Sequence, residues 1–174
     1  DPSQQYCATA WVGLDGDTCQ SAILQTGVDF CIQSGEVSYS AWYEWFPDYM
    51  YTFNDITISA GDTISLTVDA SSDVAGTATV QNLSNGQSVS YTWNGDDQGN
   101  LCGTNAEWIV EDFQEGSSLI PFANFGAVTF SNAYAGQNGG SVGPAGATIM
   151  DIQQNGQVFT STSISDGEVT VSYV

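Results

Sequence analysis

The chain has 174 residues, of which 41% are hydrophobic and 12% aromatic, enough to build a single domain over residues 1–174 around one sizeable core. All of its charged residues are acidic: 20 Asp and Glu stand against no Lys, Arg or His, and the net charge at pH 7 is -20. This composition excludes the binding of nucleic-acid phosphates through basic side chains. No apolar run is long enough to span a membrane.

The one-sided charge predicts adaptation to an acidic environment. At pH 7 the carboxylates repel one another and oppose the compact state. Because carboxyl pKa values lie at roughly 4, the same chain loses nearly all of its charge by about pH 2. The four cysteines, with no histidine to complete a zinc site, favour a secreted, extracellular, disulfide-bonded protein. The start DPSQQYC, without Met or a signal peptide, indicates a processed product.

The first hairpin is predicted over residues 7–30, with Asp15-Gly16 at its turn. In that register Cys7 lies opposite Leu24, so a disulfide between Cys7 and Cys19 is disfavoured. Four cysteines allow three pairings, and two therefore stay open. They are Cys7–Cys31 with Cys19–Cys102, and Cys7–Cys102 with Cys19–Cys31.

Alternating apolar and polar residues predict strands along the rest of the chain. Hairpins are predicted in ITISAGDTISLTVDA (56–70) and in TATVQNLSNGQSVSYTW (77–93), where Asn85-Gly86 is a favoured turn dipeptide. The stretch 135–146 is predicted to be a long surface loop, and EVTVSYV (168–174) a final strand. No helical periodicity is present, so the sequence predicts an all-β fold, a jelly-roll β-sandwich of two antiparallel sheets.

The sequence Asn82-Leu83-Ser84 matches a glycosylation sequon. Such a match is more often an ordinary turn asparagine than an occupied site.

The possible chemistry is narrow because the chain has no histidine, lysine or free thiol to activate a serine or cysteine nucleophile. Carboxyls and tyrosines remain as proton carriers. Glu107 is the leading candidate, since it lies between Ala106 and Trp108 and burial there would raise its pKa. Alternation places Glu107 on one face of its strand with Ile109 and Glu111, but does not say whether this face meets solvent or a groove.

Two other polar residues stand out in apolar surroundings. Gln25 lies in SAILQTGVDF, and its amide offers a donor and an acceptor at any pH, although a strand glutamine is most often a surface residue. Glu44 lies within AWYEWF (41–46), where such aromatic density is more typical of a core than of a ligand platform. A carboxyl inside that run favours a groove on one face.

The chain resembles the glutamic peptidases, or eqolisins, which are secreted fungal acid endopeptidases. Five motifs in the family's order carry the resemblance, and similarity extends over essentially the whole chain. They are AWVGLDGDTC (10–19), AILQTGVDF (22–30), AWYEWFPD (41–48), ITISAGD (56–62) and TNAEWIVEDF (104–113).

The resemblance implies a jelly-roll sandwich with a catalytic Gln and Glu in its groove, here Gln25 and Glu107, and no metal or cofactor. Glu107 would take a proton from a water that attacks the scissile carbonyl and then donate it to the leaving amine. Gln25 would hold that water and stabilise the oxyanion. Glu107 is then expected to be held by hydrogen bonds from Gln25 and neighbouring polar groups.

The resemblance also implies further features. The disulfides implied are Cys7–Cys31 and Cys19–Cys102, and a short light chain from the same precursor is expected to bind without a disulfide. Two positions, Ser40 and Phe46, depart from the family pattern, where Asp and Tyr are common. Supporting residues near the site are expected to be Trp11, Asp15, Asp29, Trp42 and Glu44.

Two other functions fit the composition less well. A jelly-roll glycoside hydrolase would use Glu44 and Glu107 as its paired carboxyls. A lectin-like sandwich would bind carbohydrate through aromatic and amide side chains without turnover. If the peptidase reading holds, inhibitors designed for paired aspartates, of the pepsin type, are expected to bind poorly because one amide replaces one carboxyl.

Overall fold

The computed structural model describes residue 1 and residues 3–95, 99–116 and 118–174. The described chain is built of strands joined by turns, and none of its segments is a helix that could cross a membrane. The strands, in chain order, are β1 (Tyr6–Leu14), β2 (Ile23–Gln33), β3 (Glu36–Phe46), β4 (Tyr51–Thr52), β5 (Ile64–Ala70), β6 (Ala75–Asn82), β7 (Ser88–Asn94), β8 (Ala106–Glu111), β9 (Gln114–Glu115), β10 (Ser118–Leu119), β11 (Ala127–Phe130), β12 (Ala135–Gln137), β13 (Gly140–Val142), β14 (Gln153–Gln154), β15 (Gln157–Val158), β16 (Thr160–Ser165) and β17 (Glu168–Tyr173).

The first layer is a five-stranded antiparallel sheet in the order β4-β3-β2-β1-β8. β8 joins it from far along the chain and pairs with β1, so the two strands that flank β1 are β2 and β8. Successive side chains of each strand point to opposite faces of the sheet. One face carries the apolar side chains that form the core, among them Ala8, Leu24 and Trp45.

The second layer consists of two three-stranded sheets, β5-β6-β7 and β11-β17-β16. Both pack on the same face of the first layer. Leu24 and Trp45 of the first layer contact Ala78 and Trp93 of the β5-β6-β7 sheet, and the second cluster forms in the same way against the β11-β17-β16 sheet. Its buried members are Ala8, Val110, Ala123, Ala133, Val169 and Val171. The predicted all-β sandwich is confirmed, although its second layer is divided.

The predicted two-residue turn at Asp15-Gly16 is wrong. β1 and β2 do pair, but Leu14 lies opposite Leu24 and residues 15–22 form a longer connection. Both turn residues do have positive φ, 65° at Asp15 and 116° at Gly16. The loop is drawn instead towards residues 102–105, whose backbone N–H groups bind the Asp15 carboxylate.

This change of register decides the disulfides. Cys7 lies directly opposite Cys31 across β1 and β2, and the two are bonded. Cys19, in the longer connection, is bonded to Cys102. This is the pairing that the family resemblance implied.

The other hairpins were predicted with mixed success. The hairpin over residues 77–93 is confirmed, with β6 paired to β7 and Gly86 at φ 80° in its turn. The hairpin over residues 56–70 is wrong, since only β5 forms and it pairs with β6. Residues 135–146 were predicted as a loop and instead hold the β12-β13 hairpin. The final strand is confirmed as β17.

Asn82 explains why residues 56–58 form no strand. Its side chain is fully buried, and its Nδ2 donates to the Thr57 carbonyl oxygen at 2.9 Å and to Asp62 Oδ2 at 2.7 Å. Its Oδ1 accepts the backbone N–H groups of Ser84 and Asn85. The amide therefore ties the 57–62 segment to the β6-β7 turn through a side chain, where the sequence pattern predicted a backbone ladder.

We expect Asn82 to be unmodified, because both hydrogens of the nitrogen that a glycan would occupy are already donated inside the protein. Peptide mass spectrometry of protein from a glycosylating host checks this. Asn82→Ala should also lose several buried hydrogen bonds, or about 2 to 3 kcal/mol of stability, whereas the exposed Asn94→Ala serves as the control. A glycan found on the folded protein would contradict this placement.

Candidate active site

The face of the five-stranded sheet opposite the core carries most of the predicted site residues. Ala106, Trp108 and Val110 face the core, with Val110 buried in it. Glu107 therefore faces the other way, which settles the alternative that the sequence left open. In antiparallel strands, residues directly opposite each other share a face, so the strand register gives the layout of this surface.

Three rows of side chains cross the face. The first row places Gln25 and Glu107 on either side of Gly13, with Glu44 beyond Gln25. The second row is Trp42, Gly27, Trp11 and Ile109, and the third is Ser40, Asp29, Thr9 and Glu111. An aromatic row thus separates two polar rows, and the predicted residues Trp11, Gln25, Asp29, Trp42, Glu44 and Glu107 all lie on this face.

Two glycines form the floor of the surface. A Cβ at Gly27 would lie 2.6 Å from Trp11 Cβ and 2.7 Å from the Trp42 ring, so only glycine fits between these two residues. A Cβ at Gly13 would lie 2.7 Å from the Trp11 ring. Gly13 also leaves a space between Gln25 and Glu107, whose backbones are two strand spacings apart, or roughly 10 Å. That space has room for a water molecule or a peptide carbonyl.

A cavity of about 350 Å³ opens at this position. Gln25, Glu107, Glu111 and Trp11 line it, together with Gly16, Asp17, Gln20, Ile23, Ile109 and Met150. Glu111 was named in the sequence only as a neighbour on the same face, and its period-two spacing from Glu107 is the signal that could have identified it. Asp17, Gln20 and Met150 carry no comparable signal, because they come from loops.

Glu107 is a weaker acid than an ordinary glutamic acid. Burial raises its pKa, and the negative charge of Asp17 and that of Asp15 raise it further, whereas a hydrogen bond from the Asp17 backbone N–H acts in the opposite direction. The net effect raises the pKa of Glu107 to about 7. The carboxyl is held by the Asp17 backbone, and among the described residues no hydrogen bond links it to Gln25, unlike the prediction from the sequence.

Gln25 is buried, at 8% exposure, and its Nε2 donates to Glu44 Oε2 at 2.6 Å. The Glu44 side chain is half-buried. Burial raises the pKa of Glu44, the hydrogen bond from Gln25 lowers it, and the charges of Glu111 and Asp48 raise it further. The net direction is upward, so Glu44 is a weaker acid than an ordinary glutamic acid.

The third row holds a second pair of carboxyls. Burial raises the pKa of Asp29 to about 6, with the Glu111 charge adding to the shift and hydrogen bonds with Thr9 and Trp42 opposing it. Trp11 Nε1 donates to Glu111 Oε2 at 2.8 Å. Ser40 lies directly opposite Asp29, so the departure from the family pattern at position 40 falls beside a half-buried carboxyl.

Asp15 lies outside the groove and has no exposed surface. Its carboxylate accepts the backbone N–H groups of residues 102–105 and the Thr104 hydroxyl. Burial raises the pKa of Asp15, but these backbone hydrogen bonds outweigh it and leave the pKa below its ordinary value. Asp15 thus clamps the loop after β1 to the segment that leads into Glu107, and the Cys19–Cys102 disulfide joins the same two segments.

The sequence comparison supplies the decisive observation. The model of the peptidase A4 family matches residues 1–173. The chain belongs to the peptidase A4 family. These are the eqolisins, or glutamic peptidases, that the five motifs predicted. Aspergillopepsin-2 from Aspergillus niger, one relative, is 62% identical over 172 residues, which cover 99% of this chain and 61% of the relative.

Solved structures of eqolisins have the same fold. The crystal structure of aspergilloglutamic peptidase from Aspergillus niger superposes with a TM-score of 0.95 at 63% identity, covering 97% of this chain and 99% of that one. A scytalido-glutamic peptidase bound to a transition state analog inhibitor superposes with a TM-score of 0.92 at 45% identity, covering 98% of this chain and 85% of that one. The eqolisin described here therefore spans about three fifths of the aspergillopepsin-2 sequence and nearly all of the aspergilloglutamic peptidase chain.

Proposed function

We propose that this eqolisin chain is the catalytic part of a secreted acid endopeptidase that hydrolyses peptide bonds with Gln25 and Glu107. The observation that carries the proposal is the row in which an amide and a raised-pKa carboxyl flank Gly13 at the floor of an open cavity. A pairing of one amide with one carboxyl supplies a proton carrier and a neutral hydrogen-bond donor side by side.

The raised pKa of Glu107 changes the order of the proton transfers expected from the sequence. With its pKa raised to about 7, Glu107 is protonated at pH 3. In acid the cycle therefore begins with Glu107 as the proton donor, towards the oxygen of the scissile carbonyl, while water attacks its carbon. The Glu107 carboxylate then takes up the proton that the attacking water gives up and passes it to the leaving amine as the C–N bond breaks. The hydroxyl formed from the carbonyl oxygen returns its proton to Glu107 as the product carboxyl forms.

Gln25 would stabilise this reaction through its amide. Its N–H can donate to the oxygen on which negative charge develops, and its carbonyl oxygen can accept a hydrogen bond from the attacking water. An amide does not titrate, so Gln25 itself keeps both a donor and an acceptor throughout the acid range. Trp11 and Trp42, which lie beside this row, are proposed to contact the substrate, and the chemistry needs no cofactor.

The proposal includes a partner. The chain spans 61% of the length of aspergillopepsin-2, and its second layer is divided into two separate sheets with unpaired edge strands among the described residues. Exposed edges are usually covered in β proteins. A short light chain from the same precursor, bound without a disulfide, would cover such edges.

The glycoside hydrolase alternative is disfavoured by the same geometry. Glu44 and Glu107 share a row, but Gln25 and Gly13 lie between them. Gln25 also donates to the Glu44 carboxyl, so that carboxyl is engaged by an amide and not paired with a second carboxyl across a sugar site.

Hydrolysis of acid-denatured haemoglobin from pH 3 to pH 8 tests the proposal, with a soluble polysaccharide as the parallel substrate. We expect haemoglobin cleavage in acid, with kcat/KM falling up to tenfold per pH unit above about 7 as protonated Glu107 is lost. Cleavage that increased towards pH 8 would mean that Glu107 starts as a base. Polysaccharide cleavage without haemoglobin cleavage, with the light chain present, would overturn the peptidase function.

A further inference from the structure

The Gln25 amide is bound on the β3 side of its strand, by Glu44. In the part of the chain that the structure describes, its side chain makes one hydrogen bond, from Nε2 to Glu44 Oε2 at 2.6 Å. Glu44 is its directly opposite neighbour across β2 and β3, and both side chains lie on the groove face. The contact is therefore fixed by the strand register and does not depend on a loop.

This contact determines where the rest of the amide points. Glu44 lies on the β3 side of Gln25, whereas Gly13 and Glu107 lie on its other side. With one N–H of Nε2 bonded to Glu44, Oε1 and the second N–H of the amide remain for groups in the groove. An ionised carboxylate only accepts hydrogen bonds, so it favours this orientation and excludes the flipped one.

We propose that Glu44 is the positioning residue of Gln25: its carboxylate binds one amide N–H and so holds Oε1 towards the attacking water and the other N–H towards the peptide carbonyl. The inference rests on the peptidase function proposed above. A protonated Glu44 can donate as well as accept, so the amide can flip and turn its nitrogen towards Glu107. The water then loses its acceptor, and only part of the enzyme has Gln25 correctly oriented.

The groups around Glu44 raise its pKa, so that its protonation can be followed in the acid range. Asp48 lies in the turn after β3, Glu111 lies on β8, Glu107 shares the row, and Tyr51 of β4 lies near Asp48. All the charged groups among them are negative, and together with burial the charges of Glu111 and Asp48 keep the pKa of Glu44 above its ordinary value. Glu44 therefore changes its protonation in the acid range where the chain is expected to be stable.

The test compares wild type with Glu44→Gln across pH. Glutamine keeps the shape of Glu44 but donates and accepts at every pH, like the protonated acid. Where wild-type Glu44 is ionised, at the upper end of the pH range, we expect kcat of the variant to be about tenfold below wild type, roughly the effect of one well-formed hydrogen bond, with KM unchanged. At pH 3, where wild-type Glu44 is itself protonated, the two values of kcat should converge. A purely structural role would give a ratio that does not change with pH.

Asp48→Asn serves as a control, because it removes a charge near Glu44 without touching Gln25. Its kcat should equal that of wild type at the upper end of the pH range, where Glu44 is ionised in both. The pH at which the Glu44→Gln effect disappears, measured in the Asp48→Asn background, should move downward. A constant ratio of wild type to Glu44→Gln overturns the positioning role while leaving the peptidase function intact.

A second measurement keeps the inference testable if Glu44→Gln does not fold or if wild type cleaves no peptide. The side-chain NH2 signals of Gln25, assigned by their loss in Gln25→Ala, are followed by NMR from pH 3 to pH 7. They should shift through one titration step that Glu107→Gln retains. Signals that do not respond to pH contradict the role of Glu44, and wild type that is inert towards haemoglobin contradicts only the proposed function.

Discussion

Glu107→Gln is expected to lower kcat at pH 3 by at least about a thousandfold while leaving the fold intact, because glutamine has the shape of glutamic acid but carries no exchangeable carboxyl proton. Among the described residues the carboxyl is held by the Asp17 backbone N–H and by burial, and glutamine can accept that hydrogen bond equally well. KM should change little, since the substrate contacts of the groove remain. Initial rates on a fluorogenic peptide, with melting curves of each variant, provide the measurement.

Gln25→Ala is expected to lower kcat by about a hundred- to a thousandfold, the typical effect of removing one oxyanion donor. It leaves Glu44 without its partner, so its stability must be measured alongside. Gln20→Ala removes an amide from the rim of the same cavity, and Glu168→Gln removes the exposed carboxyl at the start of β17. Both controls should retain most of the activity. A folded Gln25→Ala variant with full activity would remove the amide from the mechanism.

The local patterns of the sequence predicted the strands and the polar face. Alternation identified the first and last strands, and Asn85-Gly86 marked a turn that the structure contains. The same alternation placed Glu107 with Glu111, which later proved to line one cavity. These features follow from the two-residue period of a strand, which local sequence records directly.

The features that were missed depend on contacts between distant residues. The Asp15 carboxylate binds backbone N–H groups of residues 102–105 and so lengthens a connection that its own sequence predicts to be a tight turn. Asn82 replaces a strand at residues 56–58 in the same way. The contact between Gln25 and Glu44 also depends on register, here that of β2 and β3, which the two-residue connection at 34–35 sets. Side-chain to backbone contacts of this kind leave no periodic signal.

The stability of the fold is expected to be highest near pH 4 and to fall as the pH rises to 8. Glu107 and Asp29 have folded pKa values of about 7 and about 6, and those of Glu44, Glu111 and Asp112 are also raised. Between the unfolded pKa values of roughly 4 and these folded values, the native state binds more protons than the unfolded state, so its stability decreases with pH. Repulsion among all 20 carboxylates acts in the same direction.

The size of the decrease can be bounded. Each unit of pKa shift corresponds to about 1.4 kcal/mol, and solvent screening reduces this for the partly exposed carboxyls. A total of a few kcal/mol between pH 4 and pH 8 would lower Tm by about 10 °C for a domain of this length. Thermal unfolding in buffers of matched ionic strength checks this. Glu107→Gln should flatten the curve between pH 5 and pH 7, whereas Glu168→Gln should not.

Asp15 limits the stability of the fold at low pH. Its folded pKa is lowered, so the stability that it contributes is present above its unfolded pKa and is lost as the pH falls through the folded value, below 3.8. Protonation there weakens the bonds to residues 102–105 and loosens the segment that positions Glu107. The fold is therefore expected to be most stable between the lowered pKa of Asp15 and the raised pKa values of Glu107 and Asp29. Activity is expected in the same pH interval. A Tm that rose steadily from pH 3 to pH 8 would contradict both the acid adaptation and the assigned pKa directions.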